Sequence, residues 1–78
     1  MGSPREDAWR KCDIALALVQ MTQASADVYA TALADAVAEG LSSSDYLIDR
    51  YREARAAATE ARALYSAAVD ELTATPPA

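Results

Sequence analysis

The chain has no histidine, no phenylalanine, one cysteine, one tryptophan and two glycines in 78 residues. Each shortage closes off a class of protein. Without histidine the commonest general base is missing. Without histidine, and with one thiol, a tetrahedral structural zinc site cannot be assembled. Cys12 has no cysteine to pair with, so no disulfide can staple the fold from within. No His or other base accompanies it in the sequence, and it reads as a small buried hydrophobe rather than a nucleophile. No catalytic residue, metal or cofactor is expected, and an enzyme is not the expected class.

Runs of basic residues are also absent. Residues 1–40 carry three basic and six acidic side chains, net -3, and residues 41–78 carry four and six, net -2. An acidic chain with no basic block lacks the electrostatic footprint of a nucleic-acid binder, and it is poorly matched to an anionic membrane surface. The longest strongly apolar run, Ile14 to Val19, is too short to cross a bilayer. No basic segment at an N-terminus leads into it, so no signal peptide is expected. Glu6 stands where a myristoylation signal needs Ser or Thr. The expected location is the cytoplasm, with which a single free thiol agrees.

What the chain does have is alanine, twenty residues of it, and alanine favours helix more than any other residue. Ser3-Pro4-Arg5-Glu6 reads as a helix start: a serine cap, proline at the first helical position and Glu6 three after the cap. Gly40 suits the left-handed residue that ends a helix. Ser42 then reads as the next cap, with Asp45 three after it and a Leu41–Tyr46 staple. Thr75-Pro76-Pro77 ends the pattern. The expectation is one all-α domain with helix 1 over about 4–39, a turn at 40–42, helix 2 over about 43–74 and a tail at 75–78. Two long helices and a short turn make an antiparallel hairpin. The alternative is a three-helix bundle with a break near residues 22–25, where Ser25 would cap a third helix.

Two stripes follow helical spacing on helix 1. Trp9, Cys12, Leu16, Val19, Gln23, Ala26, Ala30, Leu33 and Val37 repeat at three and four and read as the seam against helix 2. There the matching positions are Leu47, Tyr51, Ala54, Ala58, Ala61, Tyr65, Ala68 and Leu72, several of them alanines that let backbones approach closely. The second stripe, Ile14, Leu18, Met21 and Val28, lies on another side and continues to Ala32, with Ser25 interrupting it. One partner helix cannot cover both stripes. The expected interface is therefore Ile14, Leu18, Met21 and Val28, covered by a second hairpin in a two-fold four-helix bundle. A homodimer is the expected state, with a different protein as the alternative partner and neither nucleic acid nor membrane. The expected function is a non-enzymatic dimerisation or protein-interaction module.

Arg50, Arg52, Arg55 and Arg62 gather on helix 2, where Glu53-Ala54-Arg55 recurs seven residues later as Glu60-Ala61-Arg62. Arg55 and Arg62 share a face and make a candidate site for a carboxylate or phosphate ligand. The competing reading is local pairing with Asp49 and Glu60. Asp13, Asp27, Asp35 and Glu39 read as a solvated face. Gln23 is either a buried polar residue that fixes register or one that reaches solvent. The four tyrosines read as seam-edge residues with wet hydroxyls. The turn lacks the Trp-x-Gly of helical-hairpin secretion substrates. The size, and basic residues such as Arg10, Lys11, Arg55 and Arg62, loosely echo small helical chorismate mutases. Their pattern cannot be aligned, so no family is assigned, and a small helical enzyme of that size class stands as the last alternative.

Overall fold

The computed structural model describes residues 3–40 and 45–76. The chain is an all-α hairpin of two helices, α1 over Pro4–Ala38 and α2 over Asp45–Ala74, with no strand among the described residues. Their 35 and 30 residues lie side by side in a rod measuring 59 × 17 × 13 Å.

The start of α1 follows from local chemistry. Ser3 is extended, its hydroxyl accepts from the Glu6 amide at 3.2 Å, and Pro4 opens the helix. Glu6 and Asp7 occupy the first turn, where the helix dipole favours negative charge. At the other end the Glu39 and Gly40 amides close on the Asp35 and Val37 carbonyls at 3.0 Å each. Gly40 has φ +75°, a backbone conformation that a Cβ disfavours. The cap at Ser42, the staple through Leu41 and most of the 40–42 turn fall outside the described residues.

At the end of α2, the Thr75 hydroxyl donates to the Glu71 carbonyl at 2.8 Å. The last turn of α2 has no basic residue of its own. Arg5 supplies one from α1, its guanidinium donating to the Thr75 carbonyl at 3.3 Å. A cation is favoured at that negative helix end, and here it also ties the two helices together.

α1 runs unbroken through Thr22–Asp27, so the expected alternative of a break and a third helix is corrected. Ser25 caps nothing. The Thr22 hydroxyl instead donates back to the Leu18 carbonyl at 2.8 Å and the Val19 carbonyl at 3.1 Å, a bond that serine and threonine make inside helices without ending them. With no glycine or proline in the stretch, nothing opposes propagation.

The seam is made of small residues. Its buried members are Ala8, Cys12, Ala15 and Ala26 on α1 and Ala58, Ala61 and Ala68 on α2. Tyr65 and Leu72 pack against Cys12, Ala15 and Ala68. On α2 the seam falls where its spacing places it, from Leu47 to Leu72. On α1 it turns by half a step. Cys12, Val19, Gln23, Ala26, Ala30 and Leu33 keep their places, but toward the two ends Ala8, Ala15 and Ala36 replace Trp9, Leu16 and Val37, and Thr22 and Tyr29 join the middle. Trp9, Leu16 and Val37, expected in the seam, are exposed. Moving alternate positions by one residue rotates the buried line by roughly 50°, half of the 100° that one residue turns. Closeness is the physical reason: with alanines facing alanines the helix axes can draw to the near end of the usual separation of about 8–10 Å.

Candidate functional site

One long face of the hairpin is apolar and uncovered. Ile14, Leu18, Met21 and Val28 are 64%, 40%, 68% and 65% exposed. α2 adds Leu64, also exposed, together with Ala57 and Ala67. Two shallow grooves, each of about 350 Å³, meet at Leu18. The first is lined by Met21, Ser25 and Tyr29 of α1 and Arg50, Ala54 and Ala57 of α2. The second is lined by Lys11, Ile14 and Ala15 with Leu64, Ala67 and Glu71.

Charge at the two ends of this face is paired, and Glu60 stands between them on α2. Lys11 Nζ donates to Glu71 Oε1 at 2.8 Å across the two helices. That bond, followed by the Glu71 charge, raises the Lys11 pKa from its ordinary 10.5. At the other end Arg50 contacts Glu53 at 3.2 Å, and its guanidinium carbon lies 5.2 Å from the centre of the Tyr46 ring. Tyr46, through a side-chain hydrogen bond and its charge, with Glu53 after it, raises the Arg50 pKa from its usual value.

The opposite face carries a polar groove of about 310 Å³ lined by Gln23, Asp27, Tyr51, Arg55, Thr59 and Arg62, among others. Arg55 and Arg62 thus come together beside one depression. Neither reaches out free of neighbours. Arg55 lies 5.8 Å from the Tyr51 ring centre, within the range of a cation–π contact. Arg62 donates to the Gln23 side-chain oxygen, and Gln23 donates to Asp27 at 3.0 Å. Gln23 is half-buried and bridges the helices. The arginine partners are Gln23 and Tyr51 rather than Asp49 or Glu60. This Arg62–Gln23–Asp27 chain could not be read from spacing along either helix, because its central link crosses between them.

Cys12 is buried in the seam. No group of three or more potential metal-binding side chains exists among the described residues, and no helix among them is long and apolar enough to cross a membrane. The geometry so described defines an all-α hairpin with an apolar groove pair on one side and a polar groove on the other. No family model, no curated protein and no solved structure matches the chain.

Proposed function

We propose that this chain is a non-enzymatic assembly module that works by covering its apolar face with a second helical hairpin. The observation that supports this most is the division of side chains by size. Every buried residue named in the core is alanine or cysteine, while Ile14, Leu18, Met21, Val28 and Leu64 stand exposed. Fully burying a side chain of that size contributes about 1.5–3 kcal/mol, so part of the available hydrophobic stabilisation lies outside the hairpin. A patch of this kind on a folded chain marks an interaction site. The hairpin exposes 5680 Å², against about 4,600 Å² for a compact monomer of its mass. A reducing compartment, the cytoplasm, suits the unpaired Cys12.

Light scattering tests the proposal. The wild type is expected at twice the 8.3 kDa chain mass, and Leu18→Glu, which sets a charge where the two grooves meet, at the single mass. A wild-type chain that stays single at every concentration removes the reading.

A second reading, an anionic ligand held by Arg55 and Arg62, draws on the polar groove. It is the weaker one, because Asp27 lines the same groove and Gln23 already engages Arg62. Inorganic phosphate and simple carboxylates should raise the melting temperature of wild type but not of Arg55→Ala if it holds. Equal response of the two proteins, or none, rejects it.

A further inference from the structure

Resting on the assembly reading above, we infer that the covering partner is a second copy of this chain. Its α1 lies antiparallel along the first, and the two-fold axis passes at Met21. The apolar stripe carries this geometry in its own order. Ile14, Leu18, Met21, Ser25 and Val28 step by four, three, four and three, a heptad seam distinct from the one that faces α2. Ile14 and Val28 stand seven residues to either side of Met21. Leu18 and Ser25 stand three and four away, a large side chain set against a small one. Met21 is also the midpoint of Pro4–Ala38. An antiparallel twin crossing at Met21 therefore overlaps α1 along its whole length and brings Ile14 beside the twin's Val28 and Leu18 beside its Ser25.

The charges agree with that direction. Through Asp13, α1 carries Arg5, Arg10 and Lys11 against Glu6, Asp7 and Asp13, a balanced end; its far end carries Asp35 and the capping Glu39 with no cation. An antiparallel twin sets the acidic far end of each α1 against the balanced near end of the other, with Asp35 beside the twin's Asp7 and the Arg10 that contacts it at 3.7 Å. A parallel twin stacks like on like, which costs affinity. The corresponding row of α2 carries four charges in seven positions, running through Arg50, Glu53, Ala57, Glu60, Leu64, Ala67 and Glu71 by helical spacing. Laying α1 on the partner's α2 would bury the stripe against carboxylates; laying α1 on α1 buries it against itself. The whole long face of 59 × 17 Å is on the order of 1,000 Å² and sets the upper bound on the contact, against about 800 Å² per partner in a standard interface.

Disulfide trapping in a Cys12→Ala background tests the geometry. A disulfide needs Cα atoms about 4.4–6.8 Å apart, so only residues close to each other across the interface will join. Met21→Cys is expected to link to its own copy under mild oxidation, turning the majority of chains into covalent dimers. Ile14→Cys mixed with Val28→Cys is expected to give the mixed dimer in preference to either self-linked one. A protein that light scattering shows to be dimeric, but in which Met21→Cys stays unlinked while Leu18→Cys joins Leu64→Cys, overturns the α1-on-α1 geometry and leaves the assembly reading standing. A protein that is monomeric throughout overturns both.

Discussion

At the scale of single residues the hairpin is decided by what is missing from its side chains. Ala61 is 1% exposed because it has no atom beyond Cβ to keep α1 away. Ala61→Leu forces three carbons into a closed seam, and overpacking of this kind costs about 1–3 kcal/mol. Ala63→Leu, at an exposed position of the same helix, should change stability by no more than about 0.5 kcal/mol. Urea denaturation of the two variants gives the comparison directly; equal midpoints would mean that the alanine seam is not close-packed. The same fact explains where reading by residue type fell short. Trp9, Leu16 and Val37 look like core residues because they are large and apolar, and Ala8, Ala15 and Ala36 look like filler. In a seam set by backbone approach, size counts against burial.

At the scale of the helices, more was legible. The cap at Ser3, the proline at the first turn and the left-handed Gly40 are local features, and short stretches of sequence carry them. The α2 seam was legible as well, since its small residues leave no competing stripe at the same spacing. α1 offered several apolar lines, and periodicity alone could not choose between neighbouring ones. Contacts from one helix to the other, such as Arg5 with Thr75 and Arg62 with Gln23, depend on antiparallel register and were not legible.

Lys11 and Glu71 form one such contact with a pH signature. The Lys11 pKa is raised from 10.5 in the folded chain, so the pair's stabilisation is complete below that value and is lost as pH climbs through the folded-state pKa. Both side chains are exposed, so the effect is small and weakened by salt. The expected result is a urea midpoint for wild type above that of Glu71→Gln at neutral pH, with the difference closing as pH rises beyond the lysine range. A difference that holds unchanged through that range would mean that the pair contributes nothing to folding.

For the molecule as a whole, shape and stability point the same way. The radius of gyration is 17.5 Å, where a compact domain of this length has about 11.5 Å. A rod this thin buries little, and chains this short are marginal even when compact. If a second copy supplies the missing burial, folding and association are one reaction, and mass action then governs stability. The apparent melting temperature of the wild type, followed by circular dichroism, should therefore rise steadily with protein concentration. Leu18→Glu should melt lower and at a temperature that does not depend on concentration, because what remains of its fold is held within a single chain. A wild-type midpoint that stays fixed while concentration changes by orders of magnitude would require the alanine seam to hold the hairpin unaided. The exposed Ile14, Leu18, Met21 and Val28 would then contribute nothing to its stability.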